Sequence, residues 1–465
     1  MRSNLRYGAA AALALLLAAL PATAESTGTF AIVTDIHFDP FDPPDIAKTL
    51  VDADPSDWAA HFAALDDQKA AQWGSDTNYA LFASALGAIA KTTADVDFVI
   101  MPGDFLSHGF PEDVAKIFGN DADTIHPILA EKTALFVADA LAKAMPDKPI
   151  LFALGNTDSN CGDYEIEPGG AFLSATRDMV RRFAGADRLA ADFDQTYDAG
   201  GYYTARHPTV ANTVIIVIND ILWSPKYANR CGADGDAAGQ VQMDWLSKTL
   251  AVRKAAGERV WIVHHIPLGM DSYSTEHSKA ETCPAKVIPH LRASFSAQLL
   301  ALVAEYADII DVSFSGHIHT DDFRVVVDAD GHEIAADKIS PAISPIFGQN
   351  PGFQVFTYDP ATGVPTDYTT YHLTDLPDVT TSNPGTWREE YVFSAAYGLG
   401  PYSTQSVAAL WNGLDEPGHV RDVYLRNYND GHEPLAVGDL AAYRCAMGWL
   451  TKETFTDCYC GDPKN

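Results

Sequence analysis

Basic side chains are scarce in this chain. Lys and Arg number 31 against 62 Asp and Glu, a formal net charge of −31 over 465 residues. A surface of that sign repels nucleic acid and anionic membranes. Neither is expected as a general partner, and any phosphate the protein handles must be met locally, by metal or by a few basic groups. Long apolar runs are also missing, with one exception near the start, where Arg2 and Arg6 precede Ala9 to Leu20 and then Ala22-Thr23-Ala24. That is a charged head, an apolar stretch of about a dozen residues and small residues at cleavage spacing, whereas a membrane span needs roughly 20. Residues 1–24 are expected to be a signal peptide, removed after Ala24, and the mature protein to be secreted or periplasmic without a transmembrane segment.

Cysteine is sparse as well, at Cys161, Cys231, Cys283, Cys445, Cys458 and Cys460. In an exported chain six cysteines read as up to three disulfides, with fifteen possible pairings. A zinc cluster is a poor competitor, because Cys458 and Cys460 are the one close pair and lack the spacing of a zinc knuckle. Cys445 with Cys458 or Cys460 is the expected local pair. Internal repeats are absent, and a hydrophobic content of 47% excludes disorder.

What is present is alternation. Apolar strand-like runs, Phe30 to Thr34, Phe98 to Met101, Pro149 to Leu154, Thr213 to Ile218, Val260 to Val263 and Ile309 to Phe314, are separated by stretches of helical period. Asp76 is expected to cap a helix from Thr77 to about Ala90, and further helices are expected near 133–144, 171–183, 240–255 and 295–306. Tyr202 to Arg206, Phe323 to Val327 and Phe353 to Tyr358 read as further strands. From about Ser382 the β pattern fades into an aromatic, helical tail that holds half the cysteines. The expected division is therefore an α/β domain over 25–381 and a C-terminal subdomain over 382–465.

The informative residues stand where the strands stop. Asp35-Ile36-His37 follows the first, Gly103-Asp104 the second and Gly155-Asn156-Thr157-Asp158 the third. Later come His264-His265-Ile266-Pro267 and Gly316-His317-Ile318-His319. Open α/β sheets place their chemistry at such carboxyl ends. One Gly-Asp after a strand is ordinarily a turn or a cap, but five strand ends in one chain finishing in oxygen or imidazole donors is a constellation. In D-x-H and H-x-H the donors stand at i and i+2, so on an extended segment both would leave one face and reach one small volume. Two adjacent cations need an anion between them, which makes Asp104 the bridging candidate, with an asparagine carbonyl and imidazoles filling the other positions. Two such ions would clamp phosphoryl oxygens and lower the pKa of a bridging water.

The ordered set D-x-H, GD, GN, H-x-P and GH-x-H resembles that of the calcineurin-like metallophosphoesterases, over about Thr29 to Tyr358. Within that superfamily it is most similar to the acid sphingomyelinase-like phosphodiesterases. His108 stands four residues after Asp104, as in that group's GD-x-x-x-H. Gly316 to His319 continues into Thr320-Asp321-Asp322-Phe323, and the stretch 344–353 carries Asn350-Pro351 before a late strand. The resemblance implies two mixed β-sheets flanked by helices and two divalent ions, zinc first with manganese or iron as alternatives. It implies one ion held by Asp35, His37, Asp104 and His319 and the other by Asp104, Asn156, His265 and His317. His265, in the H-x-P position, is the ligand, and His264 supports or packs. The implied reaction is hydrolysis of phosphodiester or phosphoanhydride bonds by a metal-bridging hydroxide. Substrates would be a nucleotide, polyphosphate, other small phosphoester or lipid headgroup, and the protein a monomer.

One position departs. Where relatives carry histidine after the asparagine, this chain has Thr157, which cannot serve as a general acid near neutral pH; His108 remains the candidate proton donor. The departure keeps two alternatives in view, a sphingomyelin-type phosphodiesterase and a binding protein on the same scaffold. A purely structural metalloprotein fits poorly, because the donors come from separate strand ends and not from a closed cysteine cluster.

Overall fold

The computed structural model describes residues 27–228 and 236–461. The signal-peptide reading of 1–24 and Cys231 lie outside the described residues. Two six-stranded mixed sheets face each other. The first contains β1 (Gly28–Ile32), β2 (Phe98–Met101), β3 (Ile150–Phe152), β10 (Gly352–Tyr358), β11 (Pro365–Leu373) and β12 (Trp387–Val392), in the order β12-β11-β10-β1-β2-β3. β1, β2 and β3 are parallel, and the other three strands are antiparallel to their neighbours. The second contains β4 (Tyr203–Arg206), β5 (Thr213–Val217), β6 (Arg259–Val263), β7 (Ile310–Ser315), β8 (Asp322–Val327) and β9 (Glu333–Ile339), in the order β4-β5-β6-β7-β9-β8. β5, β6, β7 and β9 run parallel there.

The inner faces meet through aromatics. Phe30 on β1 stacks on Phe98 and Phe356 at 5.1 and 5.0 Å, and across the interface it contacts Trp261 at 5.0 Å and Phe314 at 5.4 Å. All five side chains are fully buried. Burying each contributes on the order of 2–3 kcal/mol before entropy is counted. The helices Tyr79–Thr92, Ala122–Ala144, Ala171–Ala184, Asp236–Ala256 and Ala293–Glu305 cover the sheets. This is the expected sandwich of mixed sheets flanked by helices.

Several details differ from expectation, among them the unforeseen strands β9 and β11. The helix after residue 76 is capped by Asn78, whose side chain accepts from the Leu81 amide, so Asp76 is free for another task. The helix expected near 133–144 begins at Ala122 and runs through Pro127. The first sheet also continues past Ser382, where the β pattern fades: β12 pairs antiparallel with β11. Beyond it come the helices Thr404–Gly413, His419–Asn427, Leu440–Gly448 and Lys452–Gly461. Cys445 pairs with Cys458, one of the two expected partners, and Cys283 with Cys460, which ties this helical region to the loops after β6. Cys161 is also disulfide-bonded. No helix among the described residues is long and apolar enough to cross a membrane.

Candidate dimetal site

All the sequence-predicted donors come together at the carboxyl ends of β1, β2, β3, β6 and β7. Asp104 Oδ2 lies 3.2 Å from His37 Nε2 and 3.1 Å from His265 Nε2, so one carboxylate oxygen faces two donor sets. On one side His37 Nε2 and His319 Nε2 are 3.0 Å apart, with Asp35 Oδ1 at 3.8 and 3.5 Å from them. On the other side Asn156 Oδ1 is 2.9 Å from His317 Nδ1 and 3.1 Å from His265 Nε2, and those two nitrogens are 3.2 Å apart.

The expected reason for this convergence is overturned, although the convergence holds. Asp35, His37, Asp104, His317 and His319 all have positive φ, between 46° and 72°. In the D-x-H and H-x-H segments both donors therefore sit in the left-handed region, and neither segment is an extended run. Such backbone costs of order 1–3 kcal/mol per residue and persists where the surroundings over-determine it. Two glycines show how tight the fit is. A Cβ on Gly155 would sit 2.1 Å from Asp104 Oδ1, and one on Gly316 would sit 2.3 Å from Asp35 Oδ2. The GN and GH motifs thus need glycine because the ligand carboxylates lie against the backbone.

Outer partners aim each ligand. His37 Nδ1 is 2.9 Å from the Leu106 carbonyl and His265 Nδ1 is 3.1 Å from that of Pro102. Each Nδ1 must donate there, which leaves Nε2 of each ring facing Asp104. Asn156 Nδ2 donates to Asp163 at 2.7 Å, turning Oδ1 inward. Asp35 Oδ2 accepts from Thr34 Oγ1 at 2.6 Å. Burial pushes His317 and His319 well below the usual histidine range, aided by the charges of His265 and His37 respectively. Burial would raise Asp104, but His265 and His37 outweigh it and hold the carboxyl well below its usual range. Carboxylates, an amide oxygen and imidazole nitrogens converging on two adjacent points are a donor set suited to two divalent cations.

Other predicted residues fall where their chemistry differs. His264 is buried but turned away, with Nδ1 3.0 Å from Asp220 and Nε2 3.2 Å from Asp337. His108 stands at the rim, stacked on His37 with ring centroids 4.0 Å apart, and its Nδ1 lies 3.1 Å from Asp76 Oδ1. Thr157 is buried and committed: its amide and hydroxyl donors lie 2.9 Å from Asp104 Oδ1, and the hydroxyl is also 2.8 Å from the Leu106 carbonyl. A cavity of about 400 Å³ opens beside Thr157 and Asp163, also lined by Ser107, Phe110, Glu112 and His126.

Sequence reasoning missed several supports. Asp76 accepts from the His108 amide at 2.6 Å as well as facing its ring, an assignment hidden by the expectation that it caps a helix. Asp158 accepts from the backbone amides of Asp104, Phe105 and Gly155, pinning the GD and GN turns together. Its place two residues after Asn156 was the only available signal. Tyr164, whose hydroxyl lies 3.3 Å from His317 Nε2, left no signal at all.

A family model described as calcineurin-like phosphoesterase matches residues 28–321, which contain every donor of the site. The chain belongs to that family. This phosphoesterase is 26% identical to acid sphingomyelinase-like phosphodiesterase 3b of Homo sapiens, over 93% of this chain and 90% of the relative. It is 25% identical to a cyclic GMP-AMP phosphodiesterase of Mus musculus, over 83% of this chain and 80% of the relative. It is 26% identical to sphingomyelinase phosphodiesterase D of Dictyostelium discoideum, over the same shares. The family works with two divalent metals, which the donor set here fits, and the protein is a metal-dependent phosphoester hydrolase.

Proposed function

We propose that this protein is an exported dimetal hydrolase of phosphodiester or phosphoanhydride bonds. Asp35, His37, Asp104 and His319 would hold one ion, and Asp104, Asn156, His265 and His317 the other, with zinc the first choice and manganese or iron fitting the same donors. Bound there, the two cations would polarise the phosphoryl group and supply a nucleophilic water at working pH. The rest is the work of the chain. Asp104, aimed by the Thr157 amide and hydroxyl, keeps one oxygen between the two donor sets. His108, its Nδ1 engaged by Asp76, presents Nε2 at the open rim, where it can hand a proton to a departing alkoxide. Thr157 offers no proton of useful acidity, so leaving groups that depart without one, such as phosphates and activated aryl oxides, should be favoured over the ceramide alkoxide of sphingomyelin. The disulfides support export, since such bonds persist in oxidising compartments.

The single oxygen Asp104 Oδ2, within 3.2 Å of imidazoles from both sides, is the observation that carries this reading. Metal analysis combined with turnover of bis(p-nitrophenyl) phosphate tests it. About two ions per chain with turnover is expected, and turnover that survives complete metal removal overturns it. A sphingomyelin-type activity is the second reading, favoured by the 26% identity to a sphingomyelinase phosphodiesterase. A higher kcat/KM on sphingomyelin than on ATP would select it.

A further inference from the structure

The segment between ligand His265 and His290 is held from outside by the end of the chain. It leaves β6, runs out through the short helices Ser272–Glu276 and Cys283–Lys286 and closes on its own base. Met270 bridges Pro289, the Asp271 amide donates to the Ile288 carbonyl at 2.9 Å, and the His290 amide donates to the Gly269 carbonyl at 3.1 Å. The base lies at the dimetal site, because the His290 ring packs edge-on against His317 with centroids 5.6 Å apart. Beyond the base the segment has little of its own to hold it, since none of residues 276–286 is buried. A stretch with so few buried contacts opens at low free-energy cost unless something ties it down.

The ties come from residues 450–460. Leu450 fills the space over Gly269, where a Cβ would sit 2.9 Å from Leu450 Cδ2. The Tyr459 hydroxyl donates to Glu276 Oε2 at 2.7 Å. Cys460 is disulfide-bonded to Cys283, across 177 positions of sequence. The Cys445–Cys458 disulfide spans only 13 positions and joins two C-terminal helices to each other, so it places no constraint on the segment.

We propose that Cys283 and Cys460 are positioning residues of the dimetal site: their disulfide lets the last helix hold segment 268–292 closed, and the closed segment holds His290 against the ligand His317. The inference rests on the dimetal reading and adds a role for the C-terminal helices, which become part of the wall that aims a ligand. Without that wall His317 visits a wider range of positions, and losing a support behind a metal-binding histidine typically weakens metal affinity about 10–100-fold. The effect should fall on the ion assigned to His317 and spare the one assigned to His319, on the other side of Asp104.

Two double variants of the full chain, loaded with metal, test this. Cys283→Ser with Cys460→Ser should exchange amide hydrogens faster over 268–292 and release one of the two ions at about tenfold lower chelator concentration. Its kcat/KM on bis(p-nitrophenyl) phosphate should fall as that ion is lost. Cys445→Ser with Cys458→Ser should lower the unfolding temperature while exchange over 268–292 and metal retention keep their wild-type values. His290→Ala should release the same ion without the faster exchange. Where the first double variant does not fold, Tyr459→Phe, which spares both disulfides, carries the test: a smaller loss of the same ion is expected, and unchanged retention overturns the inference. Equal metal retention in the two cysteine variants, or faster exchange with both ions held as in the wild type, overturns the positioning role while the dimetal reading stands. A wild-type protein that takes up no metal overturns both.

Discussion

His37 and His319 on one side of Asp104, and His265 and His317 on the other, offer matched imidazoles to one shared oxygen, yet their surroundings differ in kind. Behind the first pair stands His108, open at the rim and engaged by the Asp76 carboxylate. Behind the second stand Tyr164 and Lys226, with His290 at the edge. One half therefore carries an imidazole–carboxylate pair at its rim, and the other a phenol and an ammonium above its ligand. The difference shows that the ligand set alone cannot fix the substrate: the same seven donors serve an alkyl ester or an anhydride, according to which half does more of the work.

The largest effect should come from breaking both halves together. Asp104→Asn keeps the shape and removes the one shared negative charge. The expected result is a loss of about 10³-fold or more in kcat/KM with metal content falling below two per chain, on the scale that transition-state electrostatics reaches. Retention of two ions and more than a tenth of the activity would mean that the halves do not depend on a common oxygen.

Next in size is a test of the half that carries His108. His108→Ala should lower turnover of alkyl phosphodiesters about 10²-fold and that of p-nitrophenyl diesters far less, because a nitrophenolate leaves unprotonated. Asp76→Asn should follow the same order with a smaller loss. Equal losses on both substrate types would assign His108 to positioning and not to proton transfer.

A smaller effect on activity should mark where the second half ends. His264 adjoins His265 in sequence but faces Asp220 and Asp337, and burial, which would lower its pKa, is overcome by those carboxylates, which raise it to about 10. His264→Ala leaves two buried carboxylates short of a partner, a change that typically costs about 3–5 kcal/mol, while the metal donors stay in place. Thermal unfolding should therefore shift down strongly while metal content is kept. His265→Ala should do the reverse, losing metal. Matching metal loss in both variants would show that His264 reaches the ions after all.

The ligands were legible because each ends a strand whose apolar run is plain, as with Phe98 to Met101 before Gly103-Asp104. The supports were not, since they join distant segments: Asp76 meets His108 across 32 positions and Tyr164 meets His317 across 153. Strands were missed where buried polar pairs disguise them. β9 carries Asp337 and Lys338, both fully buried, with Lys338 paired to Asp321, so its sequence does not read as a core strand. β12 is hidden differently, by presenting Arg388 and Glu389 to solvent at a sheet edge. The D-x-H and H-x-H donors were found by the right residues and a wrong geometry, because alternation says nothing of positive φ.

The smallest effect should come from giving the site a second proton donor. Thr157 sits under Asp104, and its backbone amide would still donate to Asp104 Oδ1 after substitution, so the ligand keeps one of its two supports. Thr157→His forfeits the hydroxyl contact, worth about 1 kcal/mol, against the general-acid contribution of about 10²–10⁴-fold that a well-placed imidazole can supply. Placement will be imperfect, because the side chain replaced is 5% exposed and the new ring must find room toward the neighbouring cavity. A several-fold gain on alkyl phosphodiesters is therefore expected, with turnover of ATP unchanged or slightly lower. Steady-state kinetics on the two substrates reads the ratio directly. A ratio that stays at its wild-type value, with metal content intact, would mean that threonine at 157 is not what holds back alkyl esters, and that the half carrying His108 is already complete.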